Sequence, residues 1–151
     1  MDAALSVDVK MPLNALKRNL FSAFVSRADD RWKGLSTCRG PRLTWPTYNK
    51  RRSDRLTALS RGDIARAVSM CTGHWPVGAH TARLGIPYNA FCRSCKNSAE
   101  DESLEHYLCD CPALTGKRFA LLGGYVLGGL EDIAKVAATD LVKYANATEW
   151  I

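Results

Sequence analysis

Cys92-Arg93-Ser94-Cys95, followed by His106 and then Cys111, is the stretch on which the reading of this chain turns. As a pattern it is C-x2-C-x10-H-x4-C, with Glu100, Asp101, Glu102 and Glu105 gathered before the histidine. A tight turn holds two thiolates close together, and an imidazole and a third thiolate follow about one helical turn apart, closing a four-ligand set. Zinc suits such a set, being a borderline-soft tetrahedral ion bound at about 2.3 Å by sulfur and about 2.0 Å by nitrogen. When the protein fills every position, no place is left for an activated water, so the expected site is structural, not catalytic. Cysteines also occur as plain buried thiols, and a disulfide is the main rival use of the pair. The segment Met1 to Lys10 carries Asp2 and Asp8 and no apolar run, so no secretory signal is expected. Six cysteines without export imply reduced thiols and favour metal over disulfides.

A chain of 151 residues is the size of one compact domain, or of one domain with a flexible extension. No apolar run approaches the ~20 residues that span a bilayer, so no membrane partner is expected and an intracellular location, cytoplasm or nucleus, is. Charge is unevenly placed. Up to Phe91 there are 15 Lys/Arg against 6 Asp/Glu, and from Cys92 onward 6 against 9. A basic first half points toward a polyanion, with RNA or DNA the commonest candidate. The densest basic stretch, Lys50 to Arg55, stands beside Trp45 and Tyr48. Phosphate contact by Lys50, Arg51, Arg52, Arg55, Arg61 and Arg66, with stacking by Trp45 or Tyr48, is the functional reading. A solvated loop and helix face is the plain one.

The fold class expected is mostly α, a small helical domain with an irregular zinc-stapled loop. Pro12 suits a first helical position, and Leu13, Leu16, Leu20 and Phe24 then recur at helical spacing, predicting an amphipathic helix toward Trp32. Gly34 to Pro46 is broken by Gly40, Pro41 and Pro46 and reads as loop or extended chain. Ser60 with Asp63 three places on resembles a capping box, and Ile64, Ala67, Val68 and Cys71 would line the inner face of the helix after it. A short helix from Ala79 to Leu84 would end at Gly85 as a left-handed cap. Ser103 is the expected cap of a short helix carrying His106 and Leu108. Pro112 would open another, with Leu114, Phe119 and Leu122 inward. A final helix would show Ile133, Val136, Ala137, Leu141 and Tyr144. Three segments follow: a basic helical spacer over 1–59, a helical zinc-knuckle region over 60–123 and a C-terminal helix over 124–151.

Thr72-Gly73-His74, His80, Arg83-Leu84-Gly85-Ile86, Cys92-x2-Cys95, Glu105-His106-Tyr107-Leu108 and Cys111-Pro112-Ala113-Leu114 stand in this order. Together they resemble the C-terminal tail of non-LTR (LINE-type) retrotransposon polyproteins of animals, which lies downstream of the reverse transcriptase and RNase H domains. The resemblance covers Arg61 to Gly123 and extends more loosely back to Pro12. It implies zinc ligands at Cys92, Cys95, His106 and Cys111. Cys109 is left out as a packed thiol and is the obvious alternative to Cys111.

The enzymatic parts of such polyproteins are not expected in this chain. Paired aspartates of a YADD-like strand motif are absent, and the carboxylates before Cys92 do not form an RNase H cluster for two magnesium ions. The acid run Glu100 to Glu105 is expected to solvate a loop and to favour the start of the helix bearing His106. His74 and His80 are expected to fix the turn after Cys71 against the metal loop. The function expected is a non-catalytic, nucleic-acid-binding accessory fragment, with base contacts near Phe91 and Arg93. A protein-interaction module packing on the parent RNase H or reverse transcriptase domain is the alternative, or a truncated copy with an inherited enzyme label.

Overall fold

A computed structural model of the chain describes residues 11–88, 91–96 and 100–150. It is mostly helical, and among the described residues the only β pairing is one isolated antiparallel bridge between Phe91 and Asp101. The chain divides into two compact units, residues 1–34 and 35–151.

The described part of the first unit holds one helix, α1 (Leu13–Gly34), two residues longer than its apolar periodicity predicts. The Pro12 carbonyl starts it, accepting from the amides of Ala15 and Leu16 at 2.8 and 3.0 Å. Arg31 and Lys33 in its last turn complement the negative pole of the helix. None of its residues is buried, and Leu13, Leu16, Leu20 and Phe24 are exposed.

The second unit begins with a difference from the sequence reading. Arg39–Thr44, expected as loop, forms a short helix, α2. Pro41 is tolerated because it falls in the first turn, where an amide has no helical acceptor to lose. The helix is pinned by tertiary contact: Thr44 is fully buried and its Oγ1 donates to the Cys71 carbonyl at 2.6 Å. α3 (Lys50–Thr57) is capped by Asn49, whose side chain accepts from the Arg52 amide at 2.9 Å. α4 (Arg61–Thr72) is capped by Ser60 as its sequence predicts. The hydroxyl accepts from the Asp63 amide at 3.2 Å and donates to the Asp63 carboxylate at 2.8 Å. Gly73, at φ 81°, ends it in the left-handed conformation that glycine adopts without a Cβ clash. The buried face of α4 is Ala67, Met70 and Cys71, whereas Val68 is exposed. The stripe is turned because α4 packs on both α2 and α8.

α5 (Gly78–Arg83) is followed by Gly85 at φ 70°, the left-handed residue expected there. Beyond the metal loop come a π-helical turn (His106–Asp110), a 3₁₀ turn (Pro112–Leu114) and α6 (Thr115–Leu122). The expected final helix is two: α7 (Leu130–Ile133) and α8 (Ala138–Thr148), with Val136 and Ala137 in the link between them. On α6 the sequence reading of Phe119 as inward is corrected. Phe119 is exposed and stacks on exposed Tyr125, while Arg118 is fully buried.

The core is aromatic and grows out of the metal loop. The Tyr107 ring lies 5.9 Å from Trp75, 5.2 Å from Tyr144 and 4.2 Å from Trp150. Its hydroxyl pairs with Thr148 Oγ1 at 2.6 Å, and Tyr144 donates to the Tyr107 carbonyl at 2.8 Å. Buried rings contribute most where their polar ends are satisfied, as for Tyr107, Tyr144 and Trp150, whereas the buried Trp75 Nε1 has no hydrogen-bond partner among the described residues. A smaller cluster of Ala67, Ala138 and Val142, with Leu56 and Leu59 against it, joins α3, α4 and α8. Residues 35–151 form one compact unit.

Candidate metal centre

Cys92 and Cys95 stand on a turn closed by the Lys96 amide, which donates to the Cys92 carbonyl at 2.8 Å. Lys96 itself is left-handed, at φ 54°. The other two ligands come from the π-turn. Ser103 caps its approach, its hydroxyl accepting from the His106 amide at 3.0 Å. The Cys111 amide then donates to the His106 carbonyl at 2.8 Å, five residues back. An i, i+5 bond widens the turn enough to bring residues five apart to one place, whereas in an α-helix residues three and four apart are neighbours.

The ligand atoms of Cys92, Cys95, His106 and Cys111 all lie within 4.8 Å of one another, and Cys109 is not among them. Cys92 Sγ and Cys111 Sγ are 3.8 Å apart, and Cys95 Sγ and His106 Nε2 are 3.4 Å apart. A tetrahedral ion with bonds of about 2.3 Å to sulfur and 2.0 Å to nitrogen requires edges of about 3.8 Å and 3.5 Å. All six cysteines are unpaired thiols. The residues present therefore fit a metal ion, and a set of three sulfurs and one imidazole has the softness that zinc accepts.

Around the ligands stands a layer of charged residues with specific tasks. His106 is 4% exposed, and its Nδ1 lies 2.9 Å from Asp110 Oδ1. The two atoms are close without an aligned hydrogen bond. Asp110, at i+4 on the π-turn, stands where the outer carboxylate of a carboxylate–histidine–metal triad belongs. Glu102 corrects the expectation of a solvated acid run: it is 3% exposed. Its carboxylate accepts from the Gly78 and Arg93 amides, both at 2.9 Å, and from the Arg93 guanidinium at 2.6 to 3.1 Å. Arg93 also lies 4.6 Å over the Trp150 ring, and Trp150 Nε1 donates to Ser94 Oγ at 2.9 Å. Arg93 is thus fixed by partners within the chain although 49% of its side chain stays exposed, and Phe91 is exposed as well. Arg118 donates to the carbonyls of Leu108, Tyr125 and Cys111 at 2.9, 2.6 and 2.8 Å, fixing the ligand backbone from beneath. Neither Glu102 nor Arg118 carries a signal in the sequence, where an isolated charged residue reads as surface.

Burial pushes the Cys111 thiol up to about 12, with Cys92 beside it adding to the effect. Cys109 is likewise pushed up to about 12, chiefly by burial. A bound cation reverses that balance for the ligand thiols by stabilising the thiolate. His74 and His80 meet edge to face at 5.3 Å and lie outside the ligand cluster.

Comparison with known protein families, curated proteins and solved structures gives no match.

The basic residues separate into two groups. Arg52 is an internal anchor: it donates to the carbonyls of Thr44 at 2.6 Å and Ile133 at 3.2 Å and lies 4.0 Å over the half-buried Trp45 ring. Burial lowers its pKa. Arg66 pairs with Asp63 at 2.9 Å, and Lys50 with Asp54 at 2.7 Å. Arg51, Arg55 and Arg61 are exposed and, among the described residues, have no ion-pair partner. Tyr48 is 41% exposed, whereas one face of Trp45 is covered by the arginine.

Proposed function

We propose that this chain is a zinc-stapled, non-catalytic accessory module that binds RNA or DNA through phosphates, of the kind found at the tail of non-LTR retrotransposon polyproteins. The observation that carries it is the closed four-donor cluster seated under the aromatic core. A filled tetrahedral set holds chain segments together and offers no position for substrate. Binding then falls to the rest of the surface, where Arg51, Arg55 and Arg61 are the cations left open to phosphate. The enzymatic domains of such polyproteins are not read in this sequence. No helix among the described residues is long and apolar enough to cross a membrane.

A protein-interaction module is the second reading. What favours it is that three of the six cations expected to contact phosphate are already engaged inside the chain. The zinc-loaded protein separates the two. It is expected to carry one zinc per chain, to retard labelled single strands in a low-salt mobility-shift assay, and to leave an RNA–DNA hybrid intact in magnesium. Zinc-loaded protein that retards no nucleic acid at low salt leaves the interaction module as the better reading. Cleavage lost on Asp63→Asn refutes the non-catalytic one.

A further inference from the structure

The first turn of α3 breaks a local rule. Lys50, Arg51 and Arg52 crowd the positive pole of the helix, and no acid stands in that turn. Cations there are disfavoured by the helix dipole, and an uncompensated local conflict marks a place kept for another purpose. Two of the three are compensated, Lys50 by Asp54 and Arg52 by backbone carbonyls. Arg51 is not, nor is Arg55 one turn on, and residues four apart share a helix face.

That face borders a cleft of about 160 Å³ between α3 and the link from α7 to α8. Arg51, Arg52, Arg55 and Lys135 line it, and no carboxylate does. Lys135 is tethered from the side by Asp132 at 2.7 Å. Arg52 Nε is buried and has no hydrogen-bond partner among the described residues, although the rest of its guanidinium is satisfied. The opposite wall is the start of α8, an 11-residue helix whose N-cap, Ala137, has no side chain able to accept from the first turn. Asp140 in that first turn offsets part of the positive pole, but it is paired with Lys143 at 3.1 Å and does not line the cleft. The cleft is large enough for one tetrahedral oxyanion.

We infer that this cleft seats one phosphodiester group of a single nucleic-acid strand, held between Arg51 and Arg55 and the first turn of α8. The inference rests on the nucleic-acid reading above and narrows it to one place. Guanidinium forks match phosphate oxygens, and two of them on one helix face can hold one group from the same side. Arg39, exposed on α2, does not line the cleft and serves as the comparison.

The test uses the full zinc-loaded chain and a short labelled oligothymidylate, followed by anisotropy over a range of salt. Arg51→Ala with Arg55→Ala is expected to weaken binding at least tenfold at low salt. The slope of log K against log salt should become shallower by about 1.4, because two cations no longer neutralise the backbone of a single strand. Arg51→Lys with Arg55→Lys should keep the slope, and Arg39→Ala should change affinity less than about twofold. Zinc content must be equal in all of them. In parallel, amide spectra with inorganic phosphate and with the oligonucleotide should both shift Ala138. An oligonucleotide that binds as well after loss of Arg51 and Arg55 overturns the cleft while leaving the nucleic-acid reading standing. Phosphate that shifts Ala138 while the oligonucleotide binds nowhere overturns both, and makes the cleft a free-anion site. No shift at Ala138 with either probe overturns the cleft alone if the oligonucleotide still binds, and both readings if it does not.

Discussion

Cys109 and Cys111 are both buried, both thiols, and two residues apart, yet only one belongs to the four-atom cluster. The difference comes from the π-turn: its i, i+5 hydrogen bond carries Cys111 back over His106, while Cys109 packs in the core and its carbonyl accepts from the Leu127 amide at 2.9 Å. Cys109→Ser is therefore expected to retain one zinc per chain by metal analysis, and Cys111→Ser to lose it. The reverse pattern would mean that the ligand is misassigned. Asp110→Asn should retain the ion but bind it ~10–100-fold more weakly in competition with a chelator, as outer partners of ligand histidines generally do. Alkylation gives a second view of the same thiols. Exposed Cys38 should react first, and Cys109, held protonated by burial, only after unfolding.

At the scale of elements, the metal loop is joined to the helices through a few charged residues. Glu102 ties it to the start of α5, Arg118 ties the backbone of Leu108 and Cys111 to α6, and Ser94 and Arg93 meet Trp150 just after α8. Among the described residues of the metal loop, those before Leu104 make only a turn and one isolated bridge, so the placing of the ligands depends on those ties and on the ion. Structural zinc contributes on the order of 10 kcal/mol in small modules. Chelation should therefore release the amides of Lys96 and Cys111, whose hydrogen bonds close the two ligand turns. Hydrogen exchange read by residue checks this, with the α4 amides as the internal comparison, since that helix has its own cap and packing. Equal protection of Lys96 and Cys111 before and after chelation would remove the ion from the stability of the loop.

The whole molecule offers an alkaline test of its core. Burial raises the pKa of Tyr107 and of Tyr144 above the usual tyrosine value of about 10. A raised folded value means that the protonated form is favoured by folding. The stabilisation is then fully present below about pH 10 and is lost as pH rises past the unfolded value toward the folded one. Ultraviolet titration should show Tyr107 and Tyr144 ionising only as circular dichroism reports unfolding. Ionisation of either in a protein that stays folded would contradict the burial of the Tyr107 cluster.

Much of this was legible in the order of residues, because some signals are local. Apolar spacing after Pro12 marks α1, Ser60 with Asp63 marks the start of α4, and Gly85 marks a left-handed residue, each decided within a few positions of chain. The C-x2-C-x10-H-x4-C pattern is local too, and its residues do converge. Folding alone decided where charge goes. Arg52 reaches the Ile133 carbonyl 81 residues away, Glu102 the Gly78 amide 24 residues away, and Arg118 is buried beneath the ligands. The sequence reads each as a surface residue because ions are rarely buried, and a charge goes inside only where distant carbonyls or amides converge to satisfy it. The same convergence turns the broken segment before Pro46 into α2, splits the last helix in two, and leaves Arg51 and Arg55 as the cations facing an open cleft. Hydrogen bonding and periodicity within a few residues determine elements, whereas the partners that permit a charge to be buried are chosen by packing between segments distant in the chain.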